Sequence, residues 1–381
     1  MATAVLALAS CGQTGAPVGE PSGDWHRVDG APLGPREGAT GVWTGEEVLL
    51  FGGRDARPCP PNADCVMPEK PPPADGAAYR PATRQWRRLP DAPVGFQYAD
   101  TVLIDDTVYL WIPGVDELPG APRAFLAYQT EQNRWHELPL PPDHTRAGYG
   151  VVATGDRIVF YAGSDETGER SDQVYNPARR AWTELPADPL SPSFDRTMVW
   201  AGDRLVLFDH ELVANPGSER PAVTRAAVLD IAAGTWRRLP DSELLTTGPW
   251  IPVDGKLVNP SLGSADGGEV NNWGRTYPYG GILDPDTGEW SALPDPPEVE
   301  GVGGVLTPSS GHFADHHGWV LDTATDRWIW IPELDDRGYV QSRTMVSAGR
   351  DLFLFGGARF ADIESNDGEL LNEAWSWSPS G

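Results

Sequence analysis

Apolar residues fall in short runs along this chain, separated by clusters rich in glycine, proline, asparagine and aspartate. Runs this short, bounded by turn residues, read as strands rather than helices. One phrase organises them, clearest at Glu47–Pro90. The run Val48-Leu49-Leu50-Phe51 leads straight into Gly52-Gly53. A loop, a short strand (Ala77-Ala78-Tyr79) and a turn (Arg80-Pro81-Ala82-Thr83-Arg84) follow, and the phrase closes on Trp86-Arg87-Arg88-Leu89-Pro90. The ending returns at Trp135–Pro139, Trp182–Pro186, Trp236–Pro240 and Trp290–Pro294, and in a weaker copy at Trp328–Pro332. Successive tryptophans are 49, 47, 54, 54 and 38 residues apart.

Self-similarity at about 50 residues with several short strands per unit is the pattern of an all-β propeller. The units run from about Arg36 to Asp91, Phe96 to Pro141, Arg146 to Pro189, Phe194 to Ser242, Leu245 to Pro297 and Gly301 to Leu334. A seventh begins near Thr344 and stops after Trp377 without an outer strand. Asp24-Trp25-His26-Arg27-Val28 carries the closing tryptophan with no unit before it, so it is expected to join the last unit and remove an exposed edge. The expectation is a seven-bladed β-propeller of four-stranded antiparallel blades over residues 23–381, ring-closed by the N-terminal strand, at about 51 residues a blade. Turns such as Asp284-Pro285-Asp286-Thr287-Gly288 read as hairpin chemistry, because the equivalents Arg80–Arg84 and Asn176–Arg180 lack the carboxylates of a calcium loop.

Composition agrees with a folded array. The 43 glycines and 38 prolines lie between apolar runs, and 16 tryptophans suit one large aromatic per blade. A formal net charge of −26 argues against nucleic acid and against adhesion to anionic lipid. No cofactor is indicated; calcium is compatible with so acidic a chain but has no motif of its own. The chain is expected to be a monomer.

Residues 1–22 differ in kind. Ala4–Leu8 is apolar, and Leu8-Ala9-Ser10-Cys11 resembles the lipobox of bacterial lipoproteins. That resemblance implies lipidation at Cys11, export to a bacterial cell envelope and contact with the outer face of the membrane only through the lipid. The alternative is an apolar terminus with a chance cysteine; the basic segment of a full signal peptide is not seen, and the run is too short to span a bilayer. Gly12–Ser22 reads as a tether. Cys59 and Cys65, six apart in a proline-rich loop, suit a local disulfide in an oxidising compartment better than a metal pair.

The diglycine after the second strand, an aromatic in the third and a tryptophan six to eight residues later resemble the kelch repeat. The marks are Gly52-Gly53 with Tyr79 and Trp86, a broken copy with Tyr175 and Trp182, and Gly356-Gly357 with Trp375 and Trp377. Other units depart from it, with Ile112-Pro113-Gly114, Ala162-Gly163 and Asp209-His210 in the diglycine's place. The resemblance implies a propeller and most often a binding module. Copper oxidases similar to galactose oxidase need a cysteine–tyrosine crosslink, and with Cys59, Cys65 and Cys11 assigned no cysteine remains for it. A branch resembling periplasmic sialic acid mutarotases needs only a carboxylate or histidine and an anchoring arginine.

Loops leading into the innermost strands form one mouth of a propeller, where ligands usually bind. Arg36, Arg146, Arg196 and Arg343 stand at four such positions, with Phe96 in the arginine's place in the second unit. Together they could form an anion-attracting mouth; alternatively each pairs with an acid such as Glu37, Asp195 or Asp100 and ties blades together. His312, Asp315, His316 and His317 could chelate a metal only in part, since strand neighbours face opposite ways. Asp209-His210-Glu211 could supply an acid/base or form a solvated turn. The expectation is an exported, lipid-anchored binding module for an acidic sugar, polysaccharide or protein segment at the channel mouth. The alternative is a carbohydrate-active enzyme of mutarotase or lyase type.

Overall fold

The computed structural model describes residues 23–65, 70–114, 123–143, 148–263, 270–294, 313–316, 319–323, 326–332, 334 and 338–379. Its described strands make an all-β propeller of antiparallel sheets that follow one another along the chain. Sheet one is Thr40–Trp43, Val48–Phe51, Gly76–Arg80 and Gln85–Leu89. Sheet two is Asp100–Ile104, Thr107–Ile112, Ala124–Gln129 and Arg134–Glu137. Sheet three is Tyr149–Thr154, Arg157–Ala162, Gln173–Asn176 and Ala181–Glu184. Sheet four is Ser193–Trp200, Leu205–Glu211, Arg225–Asp230 and Thr235–Arg238. Sheet five is Ile251–Val253, Lys256–Asn259, Gly281–Asp284 and Glu289–Ser291. Sheet six shows three described strands, Phe313–His316, Trp319–Asp322 and Arg327–Trp330.

The last sheet is Thr344–Ala348, Asp351–Phe355 and Ala374–Ser378, completed by Asp24–Val28 from the other end of the chain. Asp24 lies opposite Ser378 and Val28 opposite Ala374. The N-terminal strand therefore covers the edge that the last unit would otherwise leave open. A small extra sheet, Tyr339–Gln341 with Ala358–Phe360 and Gly368–Leu370, grows from the loops of the last unit and has no counterpart in the repeat pattern.

Hydrophobic cores occupy the seams between successive sheets. Val42, Leu49 and Ala78 of sheet one meet Val108, Leu110 and Tyr128 of sheet two. Val346, Phe353 and Phe355 of the last sheet meet Val48, Leu50 and Tyr79 of the first. Each second strand lies between two seams, so both its faces are buried; Val48–Phe51 is buried throughout. That is why second strands read as unbroken apolar runs instead of alternating.

The closing tryptophans tie the sheets to one another. The indole N–H of Trp135 donates to the Pro90 carbonyl at 2.9 Å, and those of Trp182, Trp236, Trp290 and Trp328 donate to Pro139, Pro186, Pro240 and Pro294. Trp25, now in the last sheet, donates to Pro332 at 2.7 Å, and Trp86 donates to Asp29 at 3.0 Å. In each case the acceptor lies one to three residues past the outer strand of the preceding sheet.

The two diglycines share one geometry. Gly52 and Gly356 have φ of 60° and 66°, and Gly53 and Gly357 have φ of 101° and 105°. Gly53 N–H donates to the Phe96 carbonyl at 2.8 Å and Gly357 N–H to the Arg36 carbonyl at 2.9 Å, joining each sheet to the lead-in of the next. A Cβ on Gly52 would strike the Phe96 carbonyl, whereas Gly45, also at positive φ, has open space around it. Gly52→Ala is expected to cost about 2–3 kcal/mol, and Gly45→Ala only the φ penalty of about 1 kcal/mol. Equilibrium urea unfolding of both variants checks this, and equal losses would mean that the close approach carries no energy.

Candidate functional site

Alternating strand direction puts two sets of loops at one end of the propeller. These are the loops leading into innermost strands and those joining second to third strands. This end is the mouth face.

The lead-in arginines reach it by different routes. Arg36 is buried; its Nη1 and Nη2 meet Asp75 Oδ1 and Oδ2 at 2.6 and 3.1 Å, and Nη1 also donates to the Gly52 carbonyl. Burial alone would raise the Asp75 carboxyl, but the hydrogen bonds and charge of Arg36 hold it below the ordinary value. Arg196 is buried between sheets three and four. It donates to the Ala162 carbonyl at 2.7 Å and to Asp172 and Asp188 at 2.9 Å each. Burial raises the Asp172 carboxyl despite Arg196, and Arg196 itself is held more firmly protonated by its two carboxylates against the cost of burial.

Arg343 is half-buried, with Nε 3.4 Å from the Gly356 carbonyl. Phe96 is a core residue of the seam between sheets one and two. Arg146 lies outside the described residues, as do Cys11, His312 and His317.

In place of an open anion-attracting mouth, Arg36 and Arg196 thus form ion pairs that fasten loops to blades. Their partners are not those the sequence suggested: Glu37 pairs with Arg54 at 2.8 Å, and Asp195 with His210. The true partners, Asp75 and Asp172, each stand immediately before a third strand. An acid at that register in two units was the available signal.

Asp209-His210-Glu211 departs from the expected solvated turn, because all three residues lie on the second strand of sheet four. Asp209 and His210 are buried, and only Glu211 is exposed. Asp209 Oδ1 accepts from Arg225 Nε at 2.8 Å, and burial raises its carboxyl. His210 Nδ1 lies 3.2 Å from Asp195 Oδ2 where the innermost strand slips register between Phe194 and Thr197. Asp315 and His316 lie on the strand Phe313–His316. Cys59 and Cys65 are joined in a disulfide, and the Cys59 carbonyl accepts from Gln341 of the small extra sheet.

The mouth face also holds a cavity of about 810 Å³ over sheets four and five, away from the innermost strands. One wall is the loop 212–224, the other Asp241–Glu243 and Tyr277; Arg225 and Arg238 lie between them. The walls are braced across the blades. Trp273 Nε1 donates to the Gly217 carbonyl at 2.7 Å, and Asn271 Nδ2 to the Ser218 carbonyl at 2.7 Å. A cavity whose walls are held before the ligand arrives avoids ordering them on binding.

No protein-family model matches the chain. The kelch-like protein terF of Aspergillus terreus (strain NIH 2624 / FGSC A1156) is 27% identical over 236 residues, covering 56% of this chain and 48% of that protein. The chain thus spans about half the length of the curated relative it matches. The diglycine geometry, the tryptophan ties and the blade order agree with that likeness. The chain is an all-β propeller similar over part of its length to a kelch-like protein. The cavity described above lies among the mouth-face loops.

Asp100 opens the innermost strand of sheet two. Its carboxyl touches solvent, yet the surrounding protein excludes enough bulk water to push it up to about 6 from 3.8. A carboxyl raised in the folded state stabilises the fold below its unfolded value and loses that contribution as pH climbs through about 6. Asp100→Asn should therefore raise the melting temperature relative to the parent at pH 7.5 and leave the two nearly equal at pH 4. Parallel melting curves across that range would show that Asp100 is fully hydrated.

Proposed function

We propose that this kelch-like propeller is an extracytoplasmic binding module that takes its ligand, a saccharide or a protein segment, on the mouth-face loops. The cavity braced between sheets four and five carries this reading. It is large enough for several sugar rings or a few side chains, within the usual range of ligand pockets. Long loops on a rigid array are also where binding residues concentrate. The disulfide between Cys59 and Cys65 supports an oxidising compartment, and the lipobox-like Leu8-Ala9-Ser10-Cys11 supports a lipid anchor at an envelope surface. Arg36 and Arg196 are already paired with carboxylates of the chain itself, which favours a ligand taken elsewhere on this face.

The test places a photo-crosslinking residue at Val213, on the cavity wall, or at Asp156, in the turn at the opposite end, of the full chain in its native envelope. Adducts are expected from Val213 and not from Asp156. Equal labelling from both ends would refute the mouth face as the binding surface.

A further inference from the structure

The cavity over sheets four and five has a charge pattern that selects its ligand. Each of its three arginines is paired with a carboxylate. Arg225 Nε meets Asp209 Oδ1 at 2.8 Å, Arg220 Nη2 meets Glu211 Oε2 at 2.6 Å, and Arg238 Nη2 meets Asp241 Oδ1 at 2.8 Å. Arg225 is the buried member. Its Nη2 donates to the Leu190 carbonyl at 2.9 Å, so Nε and Nη2 are held inward while the residue still lines the cavity. Glu219 and Glu243 add two exposed carboxylates at the rim.

We propose that this cavity is a saccharide site for a neutral, diol-bearing sugar chain. The proposal rests on the reading of the protein as a binding module and names the ligand class of its cavity. A sugar hydroxyl both donates and accepts, so adjacent hydroxyls are matched by an arginine and a carboxylate standing side by side. Paired charges also leave a local excess of carboxylate that repels uronic or sialic acids, in a chain of formal net charge −26. Tyr277 lies in the same wall, set edge-on to Trp273 at 6.1 Å, which leaves a ring to pack on the apolar face of a pyranose. A lysine-rich segment would need a desolvated carboxylate without a partner. Glu219 and Glu243 are instead exposed to water, and Asp209, whose Oδ1 pairs with Arg225, does not line the cavity.

The test titrates the full chain with cellobiose, maltose and mannobiose, and in contrast with digalacturonate and a lysine-rich peptide, by calorimetry and saturation-transfer NMR. At least one neutral disaccharide should bind and transfer saturation. Tyr277→Ala should weaken it by about tenfold, the loss expected of an aromatic contact. Ala222→Trp, which fills the cavity from an exposed loop, should abolish it, with the unfolding midpoint of each variant reported beside its affinity. A second variant, Glu243→Gln, keeps the wall's shape and should improve binding of digalacturonate relative to that of the neutral sugars. Tighter binding of digalacturonate than of every neutral sugar would overturn the proposal, as would peptide competition lost in Ala222→Trp or no neutral disaccharide binding at millimolar concentration. A neutral sugar that binds Ala222→Trp unchanged would overturn the cavity assignment. In each of these cases crosslinking from Val213 reports separately on whether the mouth face binds at all.

Discussion

An indole N–H reaching back to the carbonyl that ends the preceding blade is the contact on which this propeller depends. The indole nitrogen can only donate, and a proline carbonyl, with no N–H beside it to enter the ladder, is a ready acceptor. The closing phrase therefore does two jobs: its tryptophan holds the blade behind, and its proline is held by the blade ahead. The leucine between them packs in the seam, fully buried at Leu89 and Leu239 and half-buried at Leu138, Leu185 and Leu293. Each bond is modest, about 1 kcal/mol net. Their repetition fixes how far each sheet turns from its neighbour, so register errors cannot accumulate around the array.

That economy explains where the chain was readable. Repetition exposes whatever every blade needs: Trp86, Trp135, Trp182, Trp236 and Trp290 stand at a near-constant spacing because one geometry recurs. The second strands declared themselves as apolar runs because both faces are buried. The orphan strand around Trp25 could be placed because it carries a tryptophan whose blade was missing, and it pairs with the last sheet.

What did not repeat could not be aligned. Arg36 and Arg196 hold similar places in the chain, yet one pairs within its own blade and the other with the blade behind. Distances of 39 and 24 residues separate them from Asp75 and Asp172, set by loop length and not by the repeat. The cavity is less legible still, since it arises where two unrelated loops meet. Asn271 and Asn272 take left-handed backbone there, which lets the loop swing Trp273 onto Gly217. The small sheet around Tyr339–Gln341 leaves no repeat signal for the same reason: it belongs to one blade alone.

The glycine clasp has a consequence for how such a chain can change. It engages only the main-chain carbonyl of the residue leading into the next blade, which in one seam belongs to Phe96 and in another to Arg36. An aromatic core residue and an ion-paired guanidinium thus satisfy the same joint equally well. The joint is blind to side-chain identity, so the rim of the propeller can diverge residue by residue while the frame beneath keeps its shape. Divergence of that kind lets the overall likeness to a distant relative fall low while the architecture persists.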